Sequence, residues 1–303
     1  MTEQNTIERK QPWKERITTL LLALAVTSFW GSSFVLTKVA LTEIGPMSIA
    51  WGRWLLGALA LAVYLLLNGQ WRQLRQALRE DRSRFLVLGL VGIALFYLLQ
   101  NWGLALSTAV DVGIIINSTG VFIALLSVWW LGEQLSKTAV VGITLAFAGV
   151  VLMSLPGAHF SLGGGRLAGD GLTLLAALCA AIYTVYGKTI VARYPPAVVT
   201  GLAAAVGTVF LTPAALWEGQ LLPRTPAAVG ALLALGVGSS ALANLWWWQL
   251  LARNQAVRAG VFLFLIPVIS TVLGVLVLQE PVTASTLVGG AFILGGLYAT
   301  EQT

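Results

Sequence analysis

The stretch TSFWGSSFVLTKVALTEIGPMSIAWGRW, residues 27–54, decides the fold of this chain. It contains the end of one apolar run, a short turn around Gly45 and Pro46, and the start of a second apolar run. An apolar run of about 20 residues is long enough to cross a bilayer as a helix. The stretch therefore predicts two membrane helices. Lys38 and Arg53 lie inside these runs, which raises the question of what two cations do there.

The composition of the whole chain is that of a membrane protein. Of its 303 residues, 57% are hydrophobic and 10% are charged, whereas soluble domains carry about 25% charged residues. Ten apolar runs are found, at 18–39, 46–67, 85–105, 109–131, 137–155, 170–190, 196–217, 227–250, 256–278 and 284–300. Hydrocarbon offers no partner to backbone polar groups, so each run must be helical. The predicted fold class is an all-α membrane protein with ten transmembrane helices.

The positive charges predict the orientation of these helices. With the N-terminus inside, 14 of the 18 Lys and Arg residues fall in inside segments, and the outside loops hold only Arg166 and Arg224. This asymmetry predicts that both termini are cytoplasmic in a bacterial inner membrane, with residues 1–16 as a cytoplasmic N-terminal segment. The arginine cluster within residues 72–84 is expected on the anionic inner leaflet. The net charge of +6 thus reflects topology, and no nucleic-acid partner is expected.

The second half of the chain repeats the first. At an offset of 147 residues Glu133 meets Glu280, and at an offset of 150 Lys38 meets Lys188, together with several matched glycine, alanine and proline positions. The first half is predicted over residues 17–155, a periplasmic connecting loop over 156–169, and the second half over 170–300. Each half has five spans, and because five is odd the second half begins on the opposite side of the membrane. Two inverted halves are typical of transporters that expose a central site to each side in turn.

Several motifs add a family resemblance to this pattern. The first half carries WGSSFVLTK at Trp30–Lys38, then Pro46 and Arg53, then LGEQL at Leu131–Leu135, and the second half carries YTVYGK at Tyr183–Lys188 and LQEPV at Leu278–Val282. Together they resemble the drug/metabolite transporter superfamily, in particular its ten-helix EamA-type exporters. The resemblance implies a bacterial exporter of amino acids or related metabolites. It also implies a central cavity lined mainly by the first, third, fourth, sixth, eighth and ninth helices.

Aromatic and amide side chains near the middle of the spans are candidate substrate-binding groups. Tyr97 and Asn101 share one face of the third helix, and Asn244 and Trp248 share one face of the eighth. The offset of 147 pairs Tyr97 with Asn244 and Asn101 with Trp248. An apolar cavity with aromatic walls and a few amides suits an amphipathic solute, because the rings can receive a second ring or an ammonium group.

Trp30 in the first helix and Asn117 in the fourth complete this set of candidates. A structural role is the alternative for all six side chains, since tryptophans pack between membrane helices and amides form bonds between them. Gly120 and Pro267 are matched positions at which the fourth and ninth helices are expected to loosen.

The buried cations allow two interpretations. Lys38 and Lys188 lie near helix ends, where a long side chain can reach the aqueous layer. Arg53 lies seven residues into the second helix, about 10 Å below its outer end. Its expected role is structural, either an ion pair with Glu43 or Asp111 or a side chain that reaches the aqueous layer, and the alternative is binding of a substrate carboxylate.

Small and acidic residues near the ends of the halves are expected to be structural. The glycine pairs at 142 and 149 and at 289 and 296 form stripes on the fifth and tenth helices, which predict packing against each other or against a second protomer. A monomer is expected, and a homodimer stays open. Glu133 and Glu280 are expected to stabilise the structure or a gate at opposite interfaces.

The residue types present exclude several function classes. Nucleotide-binding motifs and clusters of nucleophile, base or metal ligand are lacking, so neither an enzyme nor a cofactor or metal is expected. The first span has no acid, which disfavours proton exchange through a deep carboxylate. The sequence predicts a secondary transporter that exports aromatic or other apolar amino acids by alternating access, with small solutes and lipid as partners. A broader amine, drug or nucleotide-derivative exporter, or a channel or lipid scramblase, is the alternative.

Overall fold

In the part of the chain that the structure describes, ten membrane helices form the body of the protein. The structure is a computed structural model that describes residues 13–107, 109–154, 164–278 and 282–301. In chain order the spanning helices are α1 (Trp13–Ala40), α2 (Pro46–Leu67), α3 (Arg82–Leu106), α4 (Ala109–Ile116 and Thr119–Leu131), α5 (Lys137–Ser154), α6 (Gly164–Val191), α7 (Pro196–Glu218), α8 (Pro226–Arg253), α9 (Ala256–Phe262 and Leu265–Leu278) and α10 (Ala284–Glu301). Within the described residues, nine helical stretches are long and apolar enough to cross a bilayer, and a shorter apolar helix follows at Ala284–Thr300. The predicted all-α, ten-helix fold is confirmed.

The internal repeat is visible in the first and last residues of the helices. Adding 147 to the bounds of α5 gives 284 and 301, which are the bounds of α10. The same shift moves the last segment of α3, Phe96–Leu106, onto the last segment of α8, Ala243–Arg253. A shift of 150 moves the start of α2 at Pro46 onto the start of α7 at Pro196. The two halves therefore share one helical plan.

The inversion of the two halves is visible where α5 packs along α10. A Cβ added to Gly142 would collide with the carbonyl oxygen of Gly296, and one added to Gly149 would collide with that of Gly289. As the residue number rises along α5 it falls along α10, so the two helices are antiparallel. The predicted glycine stripes thus pack against each other within one chain, which was one of the two alternatives.

A second pair of contacts obeys the same inverted symmetry. Gly89 of α3 lies against Gly207 of α7, and Gly236 of α8 lies against Gly57 of α2. The offset of 147 residues relates Gly89 to Gly236, and the offset of 150 relates Gly57 to Gly207. One contact is therefore the symmetry mate of the other. Each contact joins a helix of one half to a helix of the other half. The halves are therefore interlocked around a common centre.

Four helices are irregular near mid-depth. α3 contains a π-helical turn at Leu90–Leu95, and α8 contains one at Ala234–Leu242. α4 is interrupted at residues 117–118 and α9 at 263–264, just before the Gly120 and Pro267 positions that were expected to loosen them. π turns and broken helices occur often at functional sites because they release backbone groups from regular bonding. The irregular segments therefore mark the middle of the bundle as a candidate site.

Two connections differ from the sequence-based expectation. α6 begins at Gly164, six residues before its predicted start, so part of the expected connecting loop is helical. A surface helix at Trp71–Glu80 follows α2; Ala77 is buried against the bundle, whereas Arg72, Arg75 and Arg79 are exposed. Such a helix, with one packed face and one cationic face, suits the membrane interface.

Candidate functional site

The candidate site is centred on Ser239 and Ser240, at the midpoint of α8 and inside its π turn. Trp30 of α1 donates its indole N–H to the carbonyl oxygen of Ser239, at 3.1 Å. Asn244 donates its amide N–H groups to the carbonyl oxygens of Ser239 and Ser240, at 3.2 and 3.1 Å. Arg53 of α2 donates its Nε–H to the hydroxyl of Ser240, at 2.8 Å. Three of the predicted site residues thus meet at two adjacent serines.

Arg53 lies against Tyr97, a fourth predicted residue. The guanidinium carbon is 5.6 Å from the centre of the Tyr97 ring, within the range of a cation–π contact. The expected ion pair of Arg53 with Glu43 or Asp111 is wrong. Asp111 instead pairs with Arg166, and Glu43 accepts hydrogen bonds from the loop before α8. These carboxylates lie at the bundle end and find nearer partners there, whereas Arg53 lies two turns deeper.

Asn244 and Trp248 are connected to α6 through Tyr183. The Tyr183 hydroxyl lies 3.3 Å from the amide oxygen of Asn244, and its ring packs 4.8 Å from that of Trp248. Trp248 is fully buried and lies against Gly187, where an added Cβ would overlap the indole. In this conformation Trp248 packs α8 against α6 and Asn244 is 4% exposed, so both support the site from behind.

Asn101 and Asn117 lie apart from the two serines. Asn101 is one turn from Tyr97 on α3, and its amide nitrogen is 3.6 Å from the sulfur of Met47. Asn117 donates to the carbonyl oxygen of Gly113 within α4, at 2.7 Å, directly before the interruption of that helix. Both are half-buried. Their amide oxygens keep the capacity to accept a donor from a solute.

Two further tryptophans line up beside this centre. The Trp30 ring lies 5.5 Å from that of Trp247, and Phe29 lies 5.6 Å from Trp246. Trp247 is 1% exposed, whereas Trp246 is half-buried. The aromatic residues of α1 and α8 therefore form one continuous wall, which follows from their positions on facing helices.

The end of the bundle that is predicted to be cytoplasmic is held by Glu133. Its carboxylate accepts from Lys188 of α6 at 2.5 Å and from the backbone N–H groups of Ala256 and Val257 at 2.8 and 3.1 Å. Lys188 also donates to the carbonyl oxygen of Asn254, at 2.8 Å. One carboxylate thus joins the end of α4, α6 and the start of α9. The side chain of Lys188 pairs here instead of only anchoring its helix end in water.

The opposite end has its own polar contacts. Glu218 at the end of α7 accepts from the N–H groups of Met47 and Ser48, at 3.2 and 2.7 Å, and so provides partners for the first N–H groups of α2. Glu43 accepts from the hydroxyl and N–H of Thr225. These bonds, with that of Thr225 first, hold the pKa of Glu43 below its usual value. Glu280 and Lys38 were the predicted counterparts of Glu133 and Lys188; Glu280 lies outside the described residues.

Ser239, Ser240, Tyr183 and Glu218 were not predicted as site or contact residues. A serine pair inside an apolar run is common in membrane helices, so its sequence carries little signal. The sequence signal that could have identified Ser240 is a difference between the two repeats at this position. Its repeat mate at an offset of 147 is Ile93, so a polar residue replaces a core hydrophobe at the middle of one half only.

Inverted five-helix halves around a polar, aromatic centre at mid-membrane define the class of membrane transporters. The comparison with known families agrees with this class. The profile of the EamA-like transporter family matches twice, over residues 17–155 and 167–301, and the chain belongs to that family.

Individual relatives cover nearly the whole chain. An uncharacterized transporter of Archaeoglobus fulgidus is 32% identical over 286 residues, which are 93% of this chain and 96% of the relative. A probable terminal-alkyne amino-acid exporter of Streptantibioticus cattleyicolor is 27% identical over 91% of this chain and 90% of its own. A solved crystal structure, described only as that of a protein, has a TM-score of 0.82 at 22% identity and covers 93% of this chain and 96% of that one. The last similarity shows a shared fold.

Proposed function

We propose that the protein is a secondary carrier that exports amino acids with aromatic or other apolar side chains. The observation that carries the proposal is the meeting of Trp30, Arg53 and Asn244 at Ser239 and Ser240, halfway along α8. An indole wall and a guanidinium in one place, next to Asn244, offer partners for both the apolar and the polar parts of an amino acid. The relative named as a probable amino-acid exporter supports the same class of solute.

Alternating access is the mechanism that the inverted halves favour. Because each contact between halves has a symmetry mate, as in the Gly89–Gly207 and Gly236–Gly57 pairs, the two halves can exchange conformations. Loading from the cytoplasm then requires that the Glu133 contacts to α6 and α9 open. Release requires the end held by Asp111 and Arg166 to open instead.

The proposed location is the bacterial inner membrane with both termini in the cytoplasm. The exposed arginines of the surface helix and Arg193, which pairs with Asp81, lie at the end that holds Lys188 and Glu133. A cationic end of this kind is attracted to the cytoplasmic leaflet and is retained on that side. Anionic lipid is therefore the proposed lipid partner.

The test is counterflow in proteoliposomes loaded with unlabelled phenylalanine, with radiolabelled phenylalanine outside. A carrier accumulates label transiently and saturates. Inhibition by tryptophan and tyrosine but not by tetraethylammonium is expected. The reverse ranking would favour a drug or amine exporter, and flux without saturation or counterflow would indicate a channel.

Two asparagine variants provide a matched comparison. Asn244→Ala removes the bonds to Ser239, Ser240 and Tyr183, and is expected to weaken counterflow. Asn68→Ala changes an exposed amide at the end of α2 and is expected to leave counterflow unchanged. Equal activity of the two variants would contradict the assignment of the site.

A further inference from the structure

Arg53 is a buried cation with too few partners. Its side chain is 7% exposed and lies about 10 Å from the start of α2, by the rise of 1.5 Å per residue. Nε donates to Ser240, and the Tyr97 ring lies alongside. Within the described residues no carboxylate pairs with it, although an unpaired charge at such depth is costly. Most of the five N–H donors of the guanidinium are therefore left for another acceptor.

The repeat shows that the fold does not need this cation. The symmetry mate of Arg53 at an offset of 150 is Ala203, and that of Ser240 at an offset of 147 is Ile93; both mates are fully buried. The surrounding backbone is alike, since Gly57 lies against Ser240 just as Gly207 lies against Ile93. One of the two symmetry-related contacts between the halves is thus filled by two apolar side chains. The other holds a hydrogen-bonded polar pair, which is a difference that packing does not explain.

We infer that Arg53 binds a carboxylate of the transported solute, with Ser240 and Tyr97 as positioning residues. This inference rests on the proposed carrier function and narrows its substrate class to organic monocarboxylates, amino acids among them. The guanidinium fork accepts the two oxygens of a carboxylate through parallel hydrogen bonds. The Ser240 hydroxyl accepts from Nε–H, which leaves the terminal N–H groups of the guanidinium for a carboxylate.

The single positive charge at this site fits a single negative charge. A monocarboxylate without an amine neutralises Arg53 and leaves a neutral centre, whereas an amino acid places its carboxylate on Arg53 and leaves its ammonium group to the neighbouring aromatic rings. The apolar part of a solute held there lies beside Trp30, because Trp30 and Arg53 bind adjacent residues of α8. A carboxylate joined to an aromatic ring by a short chain therefore matches the site.

The test measures binding without transport, by intrinsic tryptophan fluorescence of the purified full-length protein in detergent. The probes are 3-phenylpropionate, which has a carboxylate and no amine, and phenethylamine, which has an amine and no carboxylate. Arg53→Gln is expected to weaken phenylpropionate binding about ten- to hundredfold, the range of a lost hydrogen-bonded charge, and to leave phenethylamine binding unchanged. Arg53→Lys, which keeps the charge without the fork, is expected to be intermediate.

Control variants make the result specific. Arg224→Gln removes one cation from an outer loop and is expected to bind phenylpropionate as the wild type does. Ser240→Ala keeps Arg53 and is expected to weaken phenylpropionate selectively, which supports the inference even where Arg53→Gln fails to fold. The inference is overturned if the wild type does not bind phenylpropionate, or if Arg53→Gln and Arg224→Gln bind it equally. Carboxylate binding that depends on Arg53, without counterflow, would refute the carrier function and leave the inference intact.

Discussion

The first prediction concerns Glu133, whose contacts to α6 and α9 hold the predicted cytoplasmic end of the bundle closed. Its carboxylate accepts from Lys188, Ala256 and Val257, and its own side chain is 8% exposed. Replacing it by glutamine keeps the shape but removes the charge that strengthens all three bonds. Breaking a buried pair costs about 3–5 kcal/mol. Because Lys188 is 22% exposed and regains water, we expect a cost of about 2 kcal/mol here.

The free energy lost in Glu133→Gln destabilises the form of the protein in which the predicted cytoplasmic end is closed. A change of about 2 kcal/mol multiplies the ratio of open to closed molecules about thirtyfold. Position 19 is suitable for measuring the opening, because Thr19 is buried in the closed form. The Thr19 hydroxyl accepts from the side chain of Asn254, and the backbone carbonyl of Asn254 accepts from Lys188, so Thr19 lies next to the Glu133 contacts. Cys179→Ala removes the one cysteine of the sequence, and Thr19→Cys introduces a new one. In this background, Glu133→Gln should raise the rate of alkylation by an impermeant maleimide in inside-out vesicles by a similar factor.

The control is Glu80→Gln, which changes an exposed carboxylate at the same end of the bundle. It should leave the alkylation rate unchanged. If Glu133→Gln lowers the unfolding temperature but alkylates at the wild-type rate, then Glu133 stabilises the fold and does not hold this end closed.

Two further predictions concern stability. Gly149→Leu should lower the free energy of unfolding by about 1–3 kcal/mol through overpacking against Gly289, whereas Gly295→Leu, where an added Cβ meets open space, should be neutral in the same denaturant titration. Glu43 has a lowered pKa, so its bonds to Thr225 stabilise the protein above the ordinary glutamate pKa of about 4.3 and are lost as the pH falls through the lowered value. Glu43→Gln should therefore be less thermostable than wild type at neutral pH and equal to it in strong acid; a gap that persists in acid would contradict this.

Much of the fold could be predicted because hydrocarbon imposes simple rules. Apolar runs located all ten spans, and the scarcity of charge made the Glu133–Glu280 and Lys38–Lys188 matches informative enough to reveal the repeat. The interruptions of α4 and α9 were expected only roughly, at Gly120 and Pro267. The π turns were not expected at all, since an uninterrupted apolar run has the same composition whether its turns close after four residues or five.

The residues that meet at the candidate site could be predicted in part for a related reason. Mid-membrane aromatic and amide residues stand out from an apolar background, which led to Trp30, Tyr97 and Asn244. The partner of Arg53 did not follow, because nearness in sequence suggested Glu43, whereas the contact is with Ser240, 187 residues away. Contacts between inverted halves join positions that are distant in the chain, and only the fold brings them together.

The antiparallel seam between α5 and α10 has a consequence for biosynthesis. The glycine face of α5 is made 147 residues before its counterpart on α10, as the matching bounds of the two helices show. At a synthesis rate of about 5–20 residues per second, α5 waits roughly 7 to 30 s in the lipid with its small-residue groove unfilled. The nascent first half is thus open along one side until α10 has been made. A chain truncated before α10 would keep that groove exposed to membrane quality control.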